Sequence, residues 1–241
     1  MRLSAFIAVI LLASCATAPM PTVEQASGAE PLKLSPGVAW VAEGQGWAQE
    51  AREVFAEASA YAESVAAARP EKSWAVVLDL DETVLNNVDY QISREAIGEG
   101  FTPESWHAWT QEARATLVPG AEEFIAAVNA AGGHVAFVTN RTDTEQLATE
   151  NNLAALGLKR GEDFQVLLTR AIPKAPSEKD GRFAIVPSLL AVQGYDGVEV
   201  VAYVGDNVGD KPKTAGDWQF FCIDQGAMYG APCATVPGPG R

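Results

Sequence analysis

The sequence predicts an α/β fold, a doubly wound parallel sheet with a small helical cap, and three observations predict it. Short apolar runs beginning at Ala75, His134 and Val200 read as strands buried on both faces. Segments of helical periodicity lie between them, and strands alternating with helices specify a parallel sheet. Each run also ends in polar groups, Asp79 with Asp81, Thr139 with Asn140, and Asp206 with Asp210. In such sheets ligands bind outside the carboxyl ends of the strands.

MRLSAFIAVILLASC, at the amino end, has one basic residue and an apolar stretch from Ala5 to Ala13, too short to span a bilayer comfortably. Residues 1–14 therefore read as a cleaved export signal. Residues 15–36, rich in Ala, Pro, Ser and Thr, read as a flexible tether and residues 234–241 as a flexible tail, which leaves 37–233 as the folded domain. Trp47 to Ala68 sets Val54, Ala58, Tyr61 and Val65 on one face, predicting an amphipathic helix before the first core strand. After Asp81 the chain is helix-permissive. Residues 87–119 are too long for a turn and too short for a separate domain, so with 37–70 they are expected to supply cap elements. There Thr102-Pro103-Glu104 opens a helix carrying Trp106, His107 and Trp109. Two tryptophans three apart share a face, suited either to core packing or to stacking on a ring of the substrate. His107 is expected to be a satisfied cap residue.

Gly120 to Ala131 predicts a helix with Phe124, Ile125 and Val128 inward, ended by Gly132-Gly133. His134 then begins a strand far from the site and is expected to be structural. Thr142 and Glu145 form a capping-box pattern that starts a helix running through Leu156. Phe164–Leu168 and Gln219–Ile223 supply further strands.

The formal net charge is −14, with acids spread along the chain, which excludes polymeric nucleic acid as a natural partner. A small anionic substrate would need local cations. Of the three cysteines, Cys222 and Cys233 could pair in an exported protein.

Asp79 and Asp81, two apart on an extended chain, can face one pocket. Clustered carboxylates repel, and a hard divalent cation held by oxygen ligands relieves them, with Mg²⁺ the natural candidate. A carboxylate can also act as a nucleophile while a neighbouring acid protonates the leaving group. The Thr139 hydroxyl and Asn140 amide suit phosphate oxygens. Lys179 and Arg182 could neutralise phosphoryl charge.

DLDET, VTN, a lysine and GDNVGD, in this order, resemble the haloacid dehalogenase (HAD) superfamily of phosphohydrolases. The resemblance implies a HAD-like Rossmannoid core with Asp79 as nucleophile, Asp81 as general acid and base, Thr139 on the phosphoryl group and Lys179 steadying charge. It further implies Mg²⁺ held by Asp79, the main-chain carbonyl of Asp81 and Asp206, supported by Asp210. An acid at Asp81 marks phosphatases and phosphotransferases rather than dehalogenases.

DLDETVLNN, TPESWHAW, LVPGAEEFI, FVTNR, Lys179 with Arg182, VGDN and AMYG are similar to the class C nonspecific acid phosphatases, including bacterial lipoprotein 5'-nucleotidases, from about Trp40 to Gly230. One departure is the long segment Phe183–Gly197 with its Pro187, which leaves Lys174 as an alternative catalytic lysine. The likeness places Tyr229, preferred for stacking, and Trp47 at positions of aromatic substrate contacts, and Asn140, Arg182 and Trp106 are expected from their own chemistry to bind substrate beside them. It also implies an acidic optimum, a homodimer and a small phosphomonoester substrate, nucleoside 5'-monophosphates and aryl phosphates first. A phosphotransferase or a sugar-phosphate phosphatase would use the same residues. A binding-only surface lipoprotein would be expected to have damaged motifs, yet every motif acid is intact. Leu12-Ala13-Ser14-Cys15 resembles a lipobox, implying that Cys15 is lipidated and anchors the protein in the bacterial envelope, at the outer membrane facing periplasm or exterior. Cleavage by ordinary signal peptidase is the alternative.

Overall fold

The computed structural model describes residues 32–171, 176–230 and 233. The expected signal, Cys15, most of the tether, Lys174 and the 234–241 tail lie outside them.

The domain begins with α1 (Pro36–Ala42) and the long helix α2 (Gln45–Ala68). In α2 the buried face is Trp47, Ala51, Phe55, Ala58, Ala62 and Val65, with Val54 and Tyr61 only partly covered. The expected face is thus rotated. Alanines are small enough to let α2 approach its neighbour closely, so the bulky residues do not by themselves define the inward side.

Strand β1 (Trp74–Leu78) follows and is wholly buried. The chain after Asp81 does not form a helix. Leu80 O accepts from Thr83, Val84 and Leu85 N at 3.2, 2.8 and 2.7 Å, and Glu82 takes a positive φ of 60°. This tight turn launches β2 (Leu85–Asn86), which pairs antiparallel with β3 (Thr116–Leu117). Between them lie α3 (Val88–Ala96) and α4 (Pro103–Glu112). Thr102 caps α4 through Ser105 N, at 3.1 Å, in a capping box. Helix α1 touches α3, whereas α2 packs on the core.

Helix α5 (Ala121–Ala130) leads to β4 (His134–Thr142), then to the single turn Asp143–Glu145 and α6 (Gln146–Ala155). The Thr142–Glu145 capping box is present, with Glu145 Oε2 accepting from Thr142 N at 2.7 Å. Strand β5 (Val166–Arg170), helix α7 (Asp180–Val192), strand β6 (Glu199–Gly205), the turn Val208–Asp210 and strand β7 (Gln219–Cys222) complete the domain. The segment that departed from the family pattern is mostly α7, which contains Pro187 and starts immediately after Lys179.

The main sheet has the order β5-β4-β1-β6-β7, all parallel. Alternate residues of β1 face opposite layers: Val76 and Leu78 join the core with α2 and α5, while Ala75 and Val77 join the core under α7. The chain runs from β1 to β4 and β5 on one side and returns to β6 and β7 on the other. Between β1 and β6 the winding reverses, and a crevice at the carboxyl ends of the strands is the place for a ligand.

Candidate active site

Asp79 N donates to Val204 O at 2.9 Å, so pairing between β1 and β6 continues to the residue whose side chain enters the site. At the end of β6, a Cβ on Gly205 would collide with the Asp210 side chain, so glycine there permits the next turn to fold back. Asn207 caps that turn by accepting from Gly209 N at 2.8 Å. Asp210 Oδ2 accepts from Asp206 N and Asn207 N, both at 3.2 Å.

These backbone features bring Asp79, Asp206 and Asp210 together, all buried, with one oxygen of each within 4.8 Å of the others. Lys179, 3% exposed at the start of α7, donates to Asp79 Oδ1 and lies 2.6 Å from Asp210 Oδ1. Three carboxylates against one ammonium leave two negative charges in excess.

The electrostatics follow. Burial, then the charges of Asp210 and Asp81, push the Asp79 carboxyl up to about 7, although Lys179 opposes the shift. Burial and the charges of Asp210, Asp79 and Glu82 hold Asp206 well above the carboxylate range. Burial pulls the Lys179 ammonium down, but Asp79 and Asp210 more than offset it and its pKa is raised. The donor set fits a divalent cation: hard oxygen atoms, converging, with an excess charge that a dication would balance.

Thr139 follows Val138, where the regular pairing of β4 with β5 breaks; it is buried and its Oγ1 accepts from Arg141 N at 3.1 Å, leaving the hydroxyl hydrogen for a phosphoryl oxygen. The site thus assembles the residues from three adjacent strand ends and the head of α7.

Residues 7–230 match the family described as HAD superfamily, subfamily IIIB (Acid phosphatase). The chain belongs to that family. It is therefore a phosphomonoesterase of acid phosphatase type. The fold is similar to that of the class C acid phosphatase from Bacillus anthracis at 22% identity, with a TM-score of 0.65 over 80% of this chain and 84% of that one. A second structure of that enzyme, with tungstate bound, matches at 23% identity and the same TM-score of 0.65 and coverage of 80% and 84%.

In this acid phosphatase the Asp81 carboxylate stands outside the three-aspartate cluster, held by its own partners. Arg141 Nε and Nη2 donate to its Oδ1 at 2.9 and 2.7 Å, and Asn87 Nδ2 at 3.0 Å. Glu82, buried beside it, accepts from Asn87 N at 2.9 Å, and burial followed by the Asp81 charge pushes its carboxyl up to about 8. Arg141, Asn87 and Glu82 were missed by sequence reasoning. The available signal was their place inside DLDETVLNN and FVTNR.

Arg182 does not extend freely. It donates to Thr139 O and, at 2.6 Å, to Asn140 Oδ1, and so braces this part of β4. Burial lowers its pKa. The Tyr229 hydroxyl donates to Asp206 Oδ2 at 2.9 Å, while the residue as a whole is 49% exposed. Its tip is thus anchored in the carboxylate cluster and the ring flank faces outward. Trp106 packs edge-on against Tyr90, with ring centroids 5.1 Å apart, and is half-buried. Trp47 is a core residue on α2, 5% exposed, and offers no face to a substrate. Trp40 packs on Gly226 beside the AMYG turn instead. His107 Nδ1 sits 3.4 Å from Glu145 Oε1, tying α4 to the turn that follows Thr139. His134 is fully buried at the far end of β4, as expected of a structural residue.

Cys222 and Cys233 are joined in a disulfide that closes the segment carrying Tyr229. Among the described residues no helix is long and apolar enough to cross a membrane.

Proposed function

We propose that this acid phosphatase hydrolyses small phosphomonoesters in two steps through an aspartyl-phosphate intermediate on Asp79. The observation that carries the reading is the buried convergence of Asp79, Asp206 and Asp210 around Lys179 at the carboxyl ends of β1 and β6. Asp79 attacks phosphorus in line, and Asp81 gives a proton to the departing alkoxide. Asp81 then takes a proton from the water that hydrolyses the intermediate. Thr139 donates to a phosphoryl oxygen, and Lys179 offsets charge on nucleophile and phosphate. Asp79, Asp206 and the main-chain carbonyl of Asp81, with Asp210 in support, would hold Mg²⁺, which would supply charge stabilisation for the phosphoryl oxygens. What supports an oxyanion site is the tungstate bound by the Bacillus anthracis enzyme, a tetrahedral oxyanion in a protein of the same fold.

Nucleoside 5'-monophosphates and aryl phosphates are the proposed substrates, with the outward flank of Tyr229 offering the stacking surface. We further propose that the protein is exported and anchored through Cys15. A disulfide between Cys222 and Cys233 suits an oxidising compartment.

Phosphate release should be measured on a nucleoside 5'-monophosphate, an aryl phosphate and a sugar phosphate, each with Mg²⁺ and with chelator. Mg²⁺-dependent release with nucleotide preference is expected. Equal rates on all three would remove the nucleotide specificity, and release unaffected by chelator would remove the metal.

A further inference from the structure

We propose that Arg141 is the positioning residue of Asp81, fixing which carboxylate oxygen exchanges the proton with the substrate. The inference rests on the reading of Asp81 as general acid and base.

Arg141 is 1% exposed, a cation enclosed by protein, and its guanidinium is fixed on several sides. Nη1 donates to Thr149 Oγ1 at 3.2 Å and Nη2 to Asn87 Oδ1 at 3.3 Å. The same Asn87 oxygen accepts from Trp109 Nε1 at 2.8 Å, so the cap helix α4 holds Asn87 in the orientation that Asp81 meets.

The two oxygens of Asp81 are not equivalent within this frame. Oδ1 takes three donors, from Arg141 Nε and Nη2 and from Asn87 Nδ2, at 2.9, 2.7 and 3.0 Å. Oδ2 receives only a longer contact from Arg141 Nε, at 3.2 Å. An oxygen already accepting three hydrogen bonds has no lone pair left for a proton, whereas Oδ2 has. The transferable proton therefore resides on Oδ2. In the first step the Asp79 oxygen bonds to phosphorus and the bond from phosphorus to the leaving oxygen breaks. The leaving oxygen keeps the electron pair and takes the proton from Oδ2. In the second step water oxygen bonds to phosphorus, the bond to Asp79 breaks, and the water proton returns to Oδ2. Arg141 binds the resulting carboxylate in the same orientation throughout. A planar fork matches this arrangement, and an ammonium, which donates as a point charge, does not reproduce it.

The test exploits the leaving group. A nitrophenolate departs without much help from an acid, whereas a simple alkoxide needs the proton, so loss of proton transfer falls on alkyl phosphates. The quantity to measure is kcat/KM for p-nitrophenyl phosphate and for a simple alkyl phosphate, with Mg²⁺, in wild type, Arg141→Gln, Arg141→Lys and Asp81→Asn. Because kcat/KM reports steps through the first phosphoryl transfer, the second step does not obscure it. The ratio of the two substrates within one preparation cancels the fraction of folded enzyme, so a folding defect in a variant does not mimic the effect. General acid catalysis contributes about 10²–10⁴-fold, so in Arg141→Gln the alkyl substrate should lose at least about tenfold more than the aryl one. Asp81→Asn should show the same discrimination more strongly, and Arg141→Lys should recover only part of it. Equal losses on both substrates in Arg141→Gln, with discrimination in Asp81→Asn, would overturn the role of Arg141 and leave that of Asp81 standing. Equal losses in Asp81→Asn would overturn the general-acid reading itself.

Discussion

Lys179→Met removes the one ammonium from the carboxylate cluster while keeping an unbranched side chain of similar length. The position is 3% exposed, so charge rather than volume is lost. Asp79, Asp206 and Asp210 would then face one another without the cation that touches two of them. Deleting one partner of a buried ion pair costs about 3–5 kcal/mol, and in a domain of this size each kcal/mol moves Tm by about 2–4 °C, so the metal-free variant should melt roughly 6–20 °C lower near pH 8. The pH dependence has a defined sign. Asp79 is already raised to about 7 from an ordinary 3.8 by burial first, with Lys179 the opposing influence, so the variant raises it further. A carboxyl whose folded pKa exceeds its unfolded one contributes full stability below the unfolded pKa and loses it as pH climbs through the folded value. The deficit should therefore shrink between pH 8 and pH 5. Thermal unfolding by circular dichroism, in chelator, measures it at both pH values. Wild-type melting at pH 8, or a deficit that widens toward acid, would refute the reasoning.

Tyr229→Phe removes the hydrogen bond to Asp206 but keeps the ring, so the Mg²⁺ concentration for half-maximal activity should rise about 10–100-fold with KM for an aryl phosphate little changed. Replacing Cys222 and Cys233 by Ser opens a loop with a sequence separation of 11, which should cost about 3 kcal/mol in urea unfolding; an unchanged midpoint would argue against the disulfide. Burial lowers the His134 pKa below 6.5, and its Nδ1 has no partner among the described residues. Stability is then complete above pH 6.5 and is lost as pH falls toward the folded value, because the unfolded chain takes up the proton first. His134→Phe should flatten that acid-side slope, measured as the difference in Tm from wild type.

The parallel sheet was legible because β1, β4 and β6 are buried on both faces and read as unbroken apolar runs. Their polar ends stood out for the same reason, so Asp79, Thr139 and Asp206 were visible as strand-end residues and the structure gathers them. Lys179 could be seen as a candidate, but its position depends on α7 starting at the next residue, which Pro187 and the length of the segment obscured. Arg141 was hidden differently. An arginine after a strand reads as a solvated charge, and only the fold brings Asp81, 60 residues earlier, to its guanidinium. Glu82 belongs to a turn whose positive φ no local propensity announced, and Asn87 follows the short strand which that turn launches, so the stretch after Asp81 looked helix-permissive. The helix α2 misled through its alanines, which are buried where Val54 and Tyr61 are only partly covered.

The central claim is that phosphoryl transfer passes through Asp79. Its direct test is phosphate release from p-nitrophenyl phosphate, with Mg²⁺, by wild type and by Asp79→Asn of equal thermal stability prepared free of wild-type enzyme. The account predicts turnover by wild type and none by the variant. Sustained turnover by Asp79→Asn would contradict it.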